Sequence, residues 1–270
     1  VIDLDPAPRP QSLMLTFFGI HVLGRDVALS SGCVIEIFER VGVTEEAVRS
    51  TLTRMVNRGL LARHRQGRKM YFGLTPRAVA VLKDGHDRVW STGAVNRDWH
   101  GQWTLVGFSL PEAWRRQRHD LRSRLTWGGF GPLQNGLWVA PGVVDVAALL
   151  GDLALDAHLR VFRGTVLAPT EVSQVVESAF DTEAIADGYR AFLRRWSGPT
   201  TDSDDPLRRQ LLVHTDWLEL VRRDPHLPAE HLPADWPAIR AEELFHTIAR
   251  DVADAAGREA ERRVDAIATA

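Results

Sequence analysis

Residues 47–77 carry eight basic side chains, Arg49, Arg54, Arg58, Arg63, Arg65, Arg68, Lys69 and Arg77, and no Asp or Glu. The chain of 270 residues has a net charge of only -2, so the rest of it is net acidic and the positive field is local. Clustered cations of this kind neutralise phosphates and release their counterions, which makes the patch the electrostatic footprint of a nucleic-acid partner. Arg and Asn can contact guanine and adenine edges in bidentate fashion, while Ser and Thr serve phosphates or bases. The expected DNA-facing set is Thr44, Arg49, Ser50, Thr53, Arg54, Asn57, Arg58, Arg63, Arg65, Arg68, Lys69 and Tyr71. Within it Arg49, Ser50, Thr53 and Arg54 are expected to reach bases, and Arg63, Arg65, Arg68 and Lys69 to hold phosphates or the minor groove. His64 points away from its arginine neighbours and is expected to pack. A plain solvated helix face is the competing use of these arginines taken alone.

The elements that must position this set follow from periodicity. Val48, Leu52, Met55 and Val56 recur at i, i+4, i+7 and i+8, predicting a helix that opens on Thr44 as N-cap and closes at Gly59. Glu45 and Glu46 sit in its first turn, where the helix dipole favours them. Two helices are predicted before it, over residues 12–23 with Ser12 as cap and over 31–41 with Gly42 as the stop. Two short extended runs follow, 61–65 and 70–74, joined by Gln66-Gly67-Arg68-Lys69, a hairpin turn. Three helices and a basic hairpin make a winged helix-turn-helix over residues 11–90, with the third helix placed for a major groove. Residues 1–10, with three prolines, are expected to form a loose arm.

Residues 98–175 alternate differently. Strands are expected at 103–110, 137–141 and 159–166, with an arginine-rich helix at 111–125 and an apolar-faced one at 144–156. That βαβαβ order implies a ferredoxin-like sandwich with helices on one face of a sheet. Residues 180–270 read as helical, at 181–196, 206–223 and from 240 onward. The fold class is therefore α+β, and the acidic C-terminal part, with nine arginines against fifteen acids over residues 201–270, is not expected to bind nucleic acid by itself.

Other chemistry is poorly supported. Gly107-Phe108-Ser109-Leu110-Pro111 has proline where a nucleophile elbow needs glycine. Gly128-Gly129-Phe130-Gly131 follows a predicted helix instead of a strand and reads as a turn, not a dinucleotide fingerprint. The ten histidines show no metal-ligand spacing; His226 and His231 merely share a proline-rich loop. Cys33 is the single cysteine, so no internal disulfide or zinc finger is possible, and no bilayer span or signal segment is legible. The protein is accordingly read as cytoplasmic, without metal or catalytic residues. Tryptophan is dense from Trp90 to Trp138, with Trp99, Trp103, Trp114 and Trp127 between. Such aromatics fill a core or line a pocket for an aromatic ligand. Arg115, Arg116, Arg118, Arg122 and Arg124 beside them could meet phosphates of a nucleotide-like effector.

Particular segments carry a family resemblance. These are residues 13–23, Gly42-Val43-Thr44-Glu45-Glu46-Ala47-Val48-Arg49, Arg54-Met55-Val56-Asn57-Arg58-Gly59-Leu60 and Gly67-Arg68-Lys69-Met70-Tyr71. To them are added Trp103, Gly129-Phe130-Gly131 and Gly136-Leu137-Trp138-Val139-Ala140-Pro141 in the centre. The C-terminal part contributes Leu211-Leu212-Val213-His214, Asp224-Pro225-His226-Leu227-Pro228, Asp235-Trp236-Pro237 and Leu244-Phe245. Together they resemble the PaaX family of phenylacetic-acid catabolon repressors over nearly the whole chain. The resemblance implies a homodimeric repressor with a winged helix, a central domain similar to the Cas2 fold and a helical C-terminal domain. It also implies an aryl-CoA thioester effector, phenylacetyl-CoA in the family, and no cofactor. Arg122, Trp127 and Trp138 are the effector contacts that chemistry would choose. Two other readings stay open: a nucleic-acid-processing protein using the central domain, whose first strand lacks the carboxylate a metal nuclease needs, and a basic-face protein-interaction module.

Overall fold

The computed structural model describes residues 9–90, 93–198 and 205–269. Most of the expected N-terminal arm and residues 199–204 of the break after the first C-terminal helix lie outside the described residues. The chain forms two compact units, one from the described residues of Thr92–Ala191 and Leu220–Arg240, the other from those of Asp3–Ser91, Phe192–Glu219 and Ala241–Ala270.

In the second of these units α1 (Pro10–His21) starts at a proline, whose fixed φ suits the first turn. It begins before Ser12, and the Ser12 hydroxyl donates to Glu219 at 3.0 Å instead of capping the helix. After β1 (Val27–Ser30), the Ser30 hydroxyl caps α2 (Ser31–Glu39) by accepting from Cys33 N. Gly42 takes φ +81°, and Thr44 caps α3 (Glu45–Asn57) by accepting from Ala47 N at 3.3 Å. Val48, Leu52 and Met55 are buried as the spacing requires, with Thr51 beside them. Then come β2 (Leu61–Gln66) and β3 (Lys69–Leu74), paired antiparallel from Leu61 opposite Leu74 to Gln66 opposite Lys69. Gly67, at φ +60°, makes the tight turn between them. Helix α4 (Pro76–Trp90) follows.

This hairpin is half of a larger sheet. Its order is β2-β3-β1-β8, where β8 is Ala266–Ala268 near the other end of the chain. Strand β1 pairs antiparallel with β3 on one side and β8 on the other. Gly73 permits the close approach, since a Cβ there would lie 3.2 Å from His64 Nε2 and 3.3 Å from Thr269 Cγ2.

The other unit centres on β4 (Trp103–Phe108), α5 (Arg115–Trp127), β5 (Gly131–Gln134), β6 (Leu137–Pro141), α6 (Val146–Leu150) and β7 (Leu159–Gly164). All sheet pairs are antiparallel, in the order β5-β6-β4-β7. The sequence predicts βαβαβ; the observed order has one more strand, β5, joined to β6 by Asn135-Gly136. Gly136 sits at φ +77°, and a Cβ there would meet Phe108 O at 2.7 Å. Side chains alternate across the sheet. Val106, Trp138 and Ala140 join Leu121 and Leu125 of α5 and Val146 and Leu150 of α6 on one face. Trp103 and Val139 join Val175, Val176 and Ala179 of α7 (Val172–Ala179) on the other, so both faces are covered, not one.

The remaining helices are α8 (Thr182–Trp196), α9 (Pro206–Val221) and α10 (Pro237–Arg263). The expected helix from residue 240 onward thus starts slightly earlier and gives way to β8. Trp217 stacks on Phe245, with centroids 4.9 Å apart and planes 8° from parallel. Arg40 of α2 binds Asp205 at 2.5 Å and Glu259 of α10 at 2.6 Å, and Arg263 meets Glu259 at 2.9 Å and Glu36 at 3.2 Å. Among the described residues no helix is long and apolar enough to cross a membrane.

Candidate nucleic-acid interface

With its apolar stripe buried, α3 turns Arg49, Ser50, Thr53, Arg54 and Asn57 to solvent, and Arg58 follows at the C-cap. Arg49 is held along the helix by Glu45, at 2.6 Å, and its carbonyl accepts from the Thr53 hydroxyl at 3.0 Å. Arg54 donates to the buried Thr51 hydroxyl at 2.9 Å, which holds its guanidinium close to the helix surface. Arg58 donates to Gln11 at 3.0 Å, while Arg77 donates to the Arg58 carbonyl at 3.2 Å. Both helix ends are thereby braced while the middle of the face stays open.

On the hairpin Arg63, Arg65, Arg68 and Lys69 are exposed, and Arg65 donates to Gly67 O across the turn at 3.3 Å. His64 alternates to the other side and packs near Gly73. Tyr71 differs from the rest of the set: it is 5% exposed, opposite Ser30 of β1 and His64 of β2, with its hydroxyl donating to Asp265 at 3.4 Å. In this fold Tyr71 braces the sheet. The acid-free stretch is also not acid-free in space, because Asp265 lies 2.8 Å from Lys69 Nζ. Lys69, then Ser30 and Tyr71, bind that carboxylate and hold it below the usual range, while Asp265 raises the Lys69 ammonium above its own. Sequence reading missed Asp265, which is 196 residues from Lys69.

Arg122, Trp127 and Trp138 differ in their surroundings. Trp138 is 7% exposed in the core that α5 covers. Trp127 ends α5 at 41% exposure with the Arg222 guanidinium 5.4 Å over its ring, and Arg122 is exposed. Neither a groove of about 580 Å3 between Val143 and Arg163 nor a depression of about 430 Å3 along Glu177 to Glu183 is lined by any of the three. Of the arginines beside them, Arg118 donates to Leu110 O and Arg124 pairs with Asp152 at 2.6 Å.

The segments weighed for other chemistry have structural uses. The Ser109 backbone carbonyl lies 3.1 Å from His158 Nδ1. Gly128 caps α5 and Gly129 turns at φ +79°, the turn expected. Among the described residues no three His, Cys, Asp or Glu side chains are grouped to hold a metal ion. Two further polar groups are buried on α9. Asp216 accepts from Trp196 Nε1 at 2.9 Å and meets Arg195 at 3.3 Å, yet burial pushes its carboxyl up to about 6. Burial moves His214, bonded to the Gln210 carbonyl, down to about 4.

Comparison with known proteins covers nearly the whole chain. Residues 9–78 match the PaaX-like protein family, 96–176 the PaaX protein central Cas2-like domain, and 180–262 the PaaX-like protein C-terminal domain. The transcriptional repressor PaaX of Escherichia coli strain K12 is 26% identical over 260 residues, covering 91% of this chain and 81% of its own. An uncharacterised protein from Mycobacterium tuberculosis shares the fold, with a TM-score of 0.64 at 23% identity over 95% of this chain and all of its own. These likenesses define the class first: PaaX-like proteins, which include a transcriptional repressor. In particular, the chain belongs to the PaaX family.

Proposed function

We propose that the protein is a sequence-specific DNA-binding repressor, released from its operator by an aryl-CoA thioester such as phenylacetyl-CoA. One observation carries this reading: α3 buries one face and exposes Arg49, Ser50, Thr53, Arg54 and Asn57 on the other, beside a hairpin bearing Arg63, Arg65 and Arg68. In this reading residues 11–90 act as a winged helix-turn-helix, with α3 in the major groove and β2–β3 as the wing. Residues 98–175, with sheet order β5-β6-β4-β7, serve as the ferredoxin-like domain, and residues 180–270 as the C-terminal domain. A cytoplasmic homodimer would set two α3 helices about 34 Å apart on a pseudo-palindrome.

Release follows from linkage. A thioester that binds the DNA-incompetent arrangement more tightly weakens operator affinity by that ratio, and DNA weakens thioester binding equally. Arg122 and Trp127 are the proposed contacts for its phosphates and aryl group, with Trp138 supporting α5 from the core. No catalytic residue or cofactor is needed. The test is a screen of acyl-CoA thioesters against the protein bound to its own upstream DNA. An aryl-CoA should release it at concentrations where free CoA and short aliphatic thioesters do not; release by none of them refutes the effector assignment.

A further inference from the structure

Lys69 stands among the wing cations, but a carboxylate already occupies it. That carboxylate is fixed in place by backbone. Strand β8 pairs with β1 from Val27 opposite Ala268 to Leu29 opposite Ala266, and Thr269 N donates to Asp26 O at 2.9 Å. Ser30 N donates to the Asp265 carbonyl at 2.8 Å. Asp265 is thereby held just before the strand, where Oδ2 meets Lys69 Nζ at 2.8 Å and Oδ1 accepts from Tyr71.

A phosphate approaching Lys69 must displace this carboxylate or sit beside a like charge. Both partners are solvent-accessible, Lys69 at 65% and Asp265 at 40% of their side chains, so the pair is weak enough to exchange. We propose that Asp265, anchored by β8, is a built-in competitor for DNA phosphate at Lys69 that lowers the wing's backbone affinity without touching the base-reading face of α3. This rests on the DNA-binding reading above. It makes the segment around β8 part of the nucleic-acid interface, although that part of the sequence is net acidic.

The test compares wild type, Asp265→Asn, Lys69→Ala and the double variant by fluorescence anisotropy on upstream and random duplexes between 50 and 200 mM salt. One recovered phosphate contact steepens the log-log salt slope by about 0.9, so the gain at 50 mM exceeds that at 200 mM about threefold. Asp265→Asn should show this on both duplexes, and no gain should remain when Lys69 is already Ala. Tyr71→Phe, which keeps every charge, should show no gain and serves as the control for a loosened sheet. An unchanged slope in Asp265→Asn, a gain that survives in the Lys69→Ala background, or an equal gain in Tyr71→Phe overturns the inference. If wild type itself binds neither duplex, the DNA reading fails and takes the inference with it.

Discussion

Two buried groups two residues apart on α9 should pull stability in opposite directions with pH. Asp216 titrates near 6 in the fold against an ordinary 3.8. Between those values the folded protein keeps a proton that the unfolded chain has released, so this group makes stability fall as pH rises. His214 titrates near 4 against an ordinary 6.5. There the unfolded chain holds the extra proton, so this group makes stability rise with pH and be lost as pH falls from 6.5 to 4. Each window is a little over two pH units wide, and at about 1.4 kcal/mol per unit each effect is about 3 kcal/mol. They largely cancel in the native protein. Asp216→Asn keeps an acceptor for Trp196 Nε1 and leaves Arg195 partly hydrated. It should therefore be more stable than wild type by up to about 3 kcal/mol at pH 7.5, and this advantage should vanish by pH 4. His214→Gln, which can still donate to Gln210 O, should shift its difference from wild type in its favour by about 3 kcal/mol between pH 7.5 and 4. Urea unfolding followed by far-ultraviolet circular dichroism at both pH values reads these differences, and any constant packing cost drops out. A difference between Asp216→Asn and wild type that does not change with pH refutes the reasoning.

Two further outcomes are expected. Gly131→Ala would place a Cβ against the Ala179 carbonyl oxygen, a backbone atom that cannot move aside cheaply, and should cost about 1–3 kcal/mol in a denaturant titration; unchanged stability would refute the close packing of β5 on α7. Arg54→Ala should narrow the gap between operator and random duplex by about 1–3 kcal/mol, whereas Arg68→Ala should weaken both alike. An unchanged gap in Arg54→Ala on quantitative gel shift would mean that α3 is turned otherwise.

The elements of the proposed DNA-binding face were legible because their signals are local. Thr44, the apolar stripe of Val48, Leu52 and Met55, and Gly59 delimit α3 within one stretch of sequence, and Gly67 marks the hairpin turn. What escaped depends on distant partners. Strand β1 has four residues and β8 three; each exists through pairing with the other and with β3, which no short window contains. The Asp265–Lys69 pair and the burial of Tyr71 follow from that same sheet. Strand β5 was hidden by Gly131 and Pro132, both poor strand formers, although Asn135-Gly136 is a strong hairpin signal that would have revealed it. Helix α7 is short, yet its Val175, Val176 and Ala179 pack with Trp103 and Val139 on the second face of the central sheet. The proposed effector contacts rest on chemistry alone, and Trp138 lies in the core because its place on β6 alternates inward.

Whether the α3 and hairpin face holds duplex DNA is read from the affinity of the protein for its own upstream duplex and for a random duplex, measured by anisotropy from 50 to 200 mM salt. DNA binding by this face gives a steep linear loss on a log-log plot, with a slope near 0.9 per phosphate contact, and tighter binding to the upstream sequence throughout. A flat response to salt on both duplexes would contradict it.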